Sequence, residues 1–166
     1  MFEAPILDPL RFTALEEVVQ GHVPVRDLER LQSALYSAGG EIRYRVAGLH
    51  TPEGLPALSL QVEGHLDLTC QRCLTGMPFD LAVDSRIVMV KDEDALPDLE
   101  EEVAGVDAIV QPDRLNIAEL VEEEVLLALP LVAVHPEGEC KPDPEAKAGS
   151  SKEHPFAALQ KLKQSS

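Results

Sequence analysis

Through the middle of the chain apolar and polar residues alternate with a period of two. Between Glu41 and Gly48, Ile42, Tyr44 and Val46 stand against Arg43 and Arg45. After a turn at Thr51-Pro52-Glu53-Gly54, the alternation resumes with Leu58, Leu60 and Val62 before Gly64, and Leu66 and Leu68 after it. Gln71-Arg72 marks a reversal, and Phe79, Leu81, Val83, Ile87 and Met89 carry the same period onward. Alternation of this kind places one side of each strand in a core and the other in water, so the pattern predicts an antiparallel meander of at least three strands. Ala108-Ile109-Val110 reads as a short strand returning to that sheet.

The period changes to a helical one in two places. Asn116 to Leu129 is the clearer: Asn116 is a candidate N-cap with Glu119 three residues on, and Ile117, Leu120, Val121 and Val125 to Leu129 supply a buried side. Pro130 ends it, and Glu122, Glu123 and Glu124 are expected as an exposed acidic ridge. The weaker pattern lies near the N-terminus. After an extended lead-in over residues 1–10, Leu10, Leu15, Val18 and Val19 suggest a helix from Leu10 to Gln20 that Gly21 stops. A second follows Pro24, with Leu28, Leu31 and Leu35 on one face, stopped by Gly39-Gly40. The expected fold is therefore α+β. It has an antiparallel sheet, barrel-like closure being one form it could take, with helices from residues 10–37 and 116–129 packed on it.

Residues 1–140 are expected to form a single globular domain, followed by a flexible tail over 141–166. Pro142, Pro144 and Gly149-Ser150-Ser151 mark the tether. Within the tail, residues 154–163 make a short amphipathic segment with Phe156, Leu159 and Leu162 on one stripe and Lys161 and Lys163 beside it. A segment this short is unstable alone, which suits folding onto a partner or onto its own domain. Asp92 to Asp107 reads as an acidic loop broken by Pro97 and Gly105 and includes Glu100, Glu101 and Glu102.

Composition sharpens this picture on one point. The 166 residues carry a formal net charge of −16, with no tryptophan and 45% hydrophobic content. Nucleic-acid binding ordinarily draws on a basic footprint, so this balance points first to solubility and next to a basic protein partner. The start of the chain lacks a charged-then-apolar run, and no apolar stretch is long enough to span a bilayer, so a cytoplasmic protein with reduced thiols is expected.

Candidate chemistry is confined to the cysteines. Cys70-Gln71-Arg72-Cys73 pairs two thiols at i, i+3, and Cys140 follows His135 five residues later. Four soft ligands from two turns, Cys70, Cys73, His135 and Cys140, would make a closed tetrahedral zinc site. A redox pair would want a helix N-terminus under the motif, where Leu74-Thr75-Gly76-Met77-Pro78 offers none. Two reduced cysteines with an unrelated third is the remaining reading. No phosphate-cradling loop, nucleophile elbow or His-Glu-x-x-His motif occurs.

The order of these features resembles the YceD family, the bacterial and plastid large ribosomal RNA subunit accumulation proteins. The matching stretches are Leu68 to Leu74, the acidic loop, Ile117 to Pro130, the turn from His135 to Cys140, and His154-Pro155-Phe156-Ala157-Ala158-Leu159. The resemblance implies a non-enzymatic role in the synthesis, processing or stability of 23S ribosomal RNA. Set against the acidic charge, it leads to an expectation of indirect action. The acidic loop and the Glu122–Glu124 ridge would hold a basic ribosomal protein or processing factor, with Phe156, Leu159 and Leu162 as an apolar grip. The alternatives are direct RNA binding through Arg43, Arg45, Arg72, Lys161 and Lys163, and a zinc-dependent enzyme built on Cys70 and Cys73.

Overall fold

The computed structural model describes residues 5–96 and 106–140. The alternating stretches form long strands, β4 (Glu41–His50), β5 (Pro56–Thr69) and β6 (Gly76–Val90), paired antiparallel in sequence order. The alternating apolar positions turn to one side: Ile42, Val46, Leu58, Leu60 and Val62 are completely buried, and Leu66, Leu68, Leu81, Ile87 and Met89 nearly so. Arg43, Arg45, Gln61 and Glu63 line the opposite, solvated side.

The sheet grows beyond this meander at both ends. Strand β7 (Val106–Val110) joins β6 in parallel, in the register Arg86↔Val106 to Val90↔Val110. Parallel neighbours require a crossover of a dozen or more residues, which residues 91–105 supply. A sheet read as wholly antiparallel is therefore mixed. At the other end β2 (Val18–Pro24) pairs antiparallel with β4, and β3 (Leu35–Ser37) pairs with the far half of β5. The strand order β2-β4-β5-β6-β7 is open, so among the described residues the sheet does not close into a barrel.

The N-terminal region departs most from expectation. The helix expected over Leu10 to Gln20 is only the six-residue α1 (Pro9–Ala14), capped by the Asp8 side chain, which accepts from the Leu10 and Arg11 N–H groups. Val18 and Val19 instead begin the edge strand β2, where β-branched side chains and Gly21 fit the pleat beside Tyr44. The segment after Pro24 forms two 3₁₀ turns, Val25–Asp27 and Arg30–Ala34. The i, i+3 spacing of Leu28 and Leu31 suits three residues per turn as well as it suits an α-helix, and both side chains are buried. Gln32 holds these turns together by donating from Nε2 to the carbonyls of Val25 and Leu28, both at 2.8 Å.

Gly48 explains how α1 sits on the sheet. A Cβ there would lie 2.5 Å from the Phe12 carbonyl oxygen and 2.9 Å from Thr13 Cα, so only glycine admits the helix backbone at this distance. A two-residue strand β1 (Ile6–Leu7) pairs with β8 (Leu115–Asn116) and ties the lead-in to the start of α2 (Ile117–Ala128). The Asn116 cap forms as expected: Oδ1 accepts from the N–H groups of Ala118 and Glu119, and Nδ2 donates to Glu119 Oε1 at 2.9 Å. Helix α2 buries Ile117, Val121 and Val125 in a core shared with the inner face of the sheet.

The acidic ridge expected on α2 is mostly interior. Glu122 is 8% exposed and its Oε1 accepts from the backbone N–H groups of Arg30 at 2.7 Å and Leu31 at 3.2 Å. It thus caps the second 3₁₀ turn, whose first N–H groups have no partner within the turn. Glu124 is 7% exposed and accepts from Ser85 Oγ at 2.8 Å, a serine on the inner face of β6. Only Glu123 faces solvent. An isolated amphipathic helix would leave these glutamates wet; here the 3₁₀ turns and β6 cover both flanks of α2.

Candidate metal centre

The Cys70–Cys73 motif occupies the hairpin turn between β5 and β6. The turn closes with Leu74 N–H donating to the Cys70 carbonyl at 2.8 Å, and Cys70 N–H to the Thr75 carbonyl at 3.0 Å. To complete it, Leu74 takes φ of 61°, a left-handed conformation that costs a branched side chain energy. No helix begins beneath the motif, so the thioredoxin arrangement is absent from this turn.

The segment after α2 folds back over this turn. Gln71 N–H donates to the Ala133 carbonyl at 2.8 Å, which brings the following residues alongside. His135 Nδ1 then stands 3.3 Å from Cys73 Sγ and 3.8 Å from Cys140 Sγ, and the Cys70 and Cys140 sulfurs are 3.8 Å apart. All four candidate ligand atoms lie within 4.8 Å of one another, and the three cysteines are free thiols. The four residues singled out from sequence are thus brought together from positions 70 residues apart.

The spacing suits one ion. With Zn–S near 2.3 Å and Zn–N near 2.0–2.1 Å, tetrahedral geometry places sulfurs about 3.8 Å apart and a sulfur about 3.6 Å from the nitrogen. The His135 ring is oriented for the task. Its Nε2 is 3.0 Å from the Gly76 carbonyl, which can only accept, so Nε2 carries a proton and Nδ1 is the nitrogen that faces the sulfurs. Three thiols and an imidazole form a donor set for zinc, and four protein ligands leave no open position for a substrate.

The electrostatics favour thiolate at two of the four ligands. Burial pushes the Cys70 thiol up, but the backbone N–H groups of Cys73, His135 and Arg72 outweigh it and bring it down to about 5. Hydrogen bonding from Thr75, whose Oγ1 is 3.1 Å from the sulfur, holds Cys73 below the usual thiol range. His135 is raised by its hydrogen bonding to Cys70, whereas burial raises Cys140. Cys70 and Cys73 are thus the two ligands held toward the thiolate form that a metal takes.

Sequence reasoning named Arg72 only as an RNA contact in the alternative reading and missed its place here. Its Nε donates to Cys140 Sγ at 3.0 Å and its Nη2 to the His135 carbonyl at 2.9 Å. One guanidinium thus fastens the downstream loop to the cysteine turn and offsets thiolate charge. A lone arginine between the two cysteines was the available signal. The remaining candidates are dispersed. Arg43 and Arg45 lie on the outer sheet face, where Arg43 pairs with Glu63 at 3.3 Å. Glu100, Glu101, Glu102, Phe156, Leu159, Lys161, Leu162 and Lys163 lie outside the described residues.

Comparison with known proteins bears on the same region. The family model described as "Large ribosomal RNA subunit accumulation protein YceD" matches residues 58–163, which include the turn, α2 and the downstream loop. A protein of Haemophilus influenzae named "Large ribosomal RNA subunit accumulation protein YceD" is 25% identical over 165 residues, covering 95% of this chain and 94% of that protein. No solved structure matches.

Proposed function

The chain belongs to the YceD family, and from that premise we propose that it supports accumulation of 23S ribosomal RNA as a non-enzymatic factor in large-subunit biogenesis. The observation that carries this reading is the family match across residues 58–163. Its action is through a basic protein, either a ribosomal protein or a processing factor. The chain's charge of −16 favours such a partner over naked phosphate, since each phosphate contact wants a lysine or arginine. The outer sheet face supports the same choice, because Glu41, Glu63, Asp67, Asp80 and Asp84 outnumber Arg43, Arg45 and Arg86 there. Glu123 and the acidic loop with Glu100, Glu101 and Glu102 supply the attraction, and Phe156, Leu159 and Leu162 an apolar grip. The site of action is the cytoplasm; among the described residues no helix is long and apolar enough to cross a membrane.

The cysteine cluster serves this role as a structural zinc clasp that locks the loop after α2 onto the β5–β6 hairpin. Zinc would be held by Cys70, Cys73, Cys140 and His135 Nδ1, and would supply cohesion rather than catalysis. Two measurements test the reading. Disruption of the gene is expected to lower 23S relative to 16S ribosomal RNA, and the protein isolated at low salt is expected to carry a basic partner that dissociates as salt rises. Retention of RNA alone at high salt would refute the partner. Elemental analysis is expected to find one zinc per chain, lost in His135→Ala; a metal-free, equally stable wild-type protein would remove the clasp.

A further inference from the structure

Beside the cysteine turn lies a groove of about 330 Å³ walled by Ala34, Leu68, Leu129, Pro130, Leu131 and Val132. Leu131 on its lip is 105% exposed, the most exposed large apolar side chain among the described residues, and Val132 is 59% exposed. The lip is fixed in place by the Gln71–Ala133 hydrogen bond. Adjoining apolar side chains held bare on a fixed surface mark a contact site.

We propose that in the free chain this groove is covered by the chain's own C-terminal segment, with Phe156, Leu159 and Leu162 seated along it. The point of exit comes first. The described chain ends at Cys140, whose sulfur is 3.0 Å from Arg72 Nε, and the neighbouring Gln71 lines the groove. The tail therefore starts at the groove's edge. A flexible tether of thirteen residues, the length of 141–153 with its Pro142, Pro144 and Gly149-Ser150-Ser151, spans about 20 Å on average. That reach lets residues 154–163 return to where the tail began.

Charge selects the same occupant. Residues 141–166 hold five of the six lysines against three acids, so the tail is at +2 and the first 140 residues are at −18. Exposed Glu137 and Glu139 lie on the loop leading out of the groove. Phe156, Leu159 and Leu162 recur every third residue, so a helical turn presents them as one stripe. Tethering holds the segment at an effective concentration in the millimolar range, so a weak contact suffices to occupy the groove. This inference stands apart from the ribosomal reading; a partner that grips the same stripe would first have to lift it.

Hydrogen exchange on the full-length protein tests the contact, comparing wild type with a Phe156→Ser, Leu159→Ser, Leu162→Ser triple variant. These substitutions leave every described core residue in place, so a change at the groove reports docking. The expected result is at least tenfold slower exchange of amides 131–134 and 154–163 in wild type, independent of protein concentration. Equal exchange in the two proteins overturns the proposal. So does protection that grows with concentration alongside a doubled mass, which would assign the groove to a second copy's tail. A Leu131→Ser variant is expected to free the tail amides as well; tail protection unchanged in that variant would place the segment elsewhere.

Discussion

Glu122 offers the sharpest test of the architecture, because it heads a run of three glutamates that sequence alone would group together. Its Oε1 accepts from the Arg30 and Leu31 N–H groups at 2.7 and 3.2 Å, and Leu31 is completely buried. In Glu122→Ala both donors lose their acceptor. A buried donor left unsatisfied costs about 1–3 kcal/mol, and the Leu31 N–H is the one water cannot reach. The more accessible Arg30 N–H adds less, so the loss is about 3 kcal/mol in all, which in a chain of this size lowers Tm by roughly 6–12 °C. Glu122→Gln keeps an acceptor oxygen but loses the charge assistance, and is expected to cost about 1 kcal/mol. Glu123→Ala, the solvent-facing neighbour, is expected to shift stability by less than about 0.5 kcal/mol. Urea unfolding followed by circular dichroism, at one pH and salt, gives all three values. Equal effects for Glu122→Ala and Glu123→Ala would mean that α2 does not cap the 3₁₀ turn, and the packing described here would fail with it.

Three further outcomes are expected. Burial raises the Glu124 pKa above its ordinary 4.5, with the charges of Asp107 and Glu123 adding to it and the Ser85 hydrogen bond opposing. The folded state therefore holds that proton more tightly than the unfolded chain. The resulting stability is complete below the ordinary value and lost as pH rises through the raised one. Glu124→Gln should accordingly gain on wild type as pH rises from 4 to 8 in denaturant titrations, and a constant gap across that range would contradict the burial argument. Arg72→Ala should weaken zinc binding by roughly 10–100-fold in competition with a chromophoric chelator, as loss of an outer-sphere partner does; unchanged affinity would show the guanidinium to be incidental. Gly48→Ala should destabilise by about 2 kcal/mol in thermal melts, because the added Cβ meets the Phe12 and Thr13 backbone rather than a yielding side chain; a neutral result would mean α1 sits higher over β4.

Strands β4, β5 and β6 were legible because alternation reports burial directly: each inward residue named from the pattern is buried or packed against the core. The Asn116 cap was legible for a similar reason, since its partners lie within three residues. Residues 10–37 were not. There an i, i+3 leucine spacing fits two kinds of helix, and Val18 and Val19 become a strand only because the exposed edge of β4 is there to pair with them. The parallel attachment of β7 had no local signal either, since a strand's direction depends on the path of the crossover before it.

The chain's own order of residues determined the meander, the late helix with its cap, and a set of four soft ligands in two turns. Tertiary structure alone decided that those ligands meet, because the Gln71–Ala133 hydrogen bond and the Arg72 fork bring the loop after α2 onto the hairpin. It also decided that Glu122 and Glu124 are interior acceptors rather than an acidic surface. A carboxylate's role depends on which donors face it, and those donors, on Arg30, Leu31 and Ser85, come from elements 39 to 92 residues away.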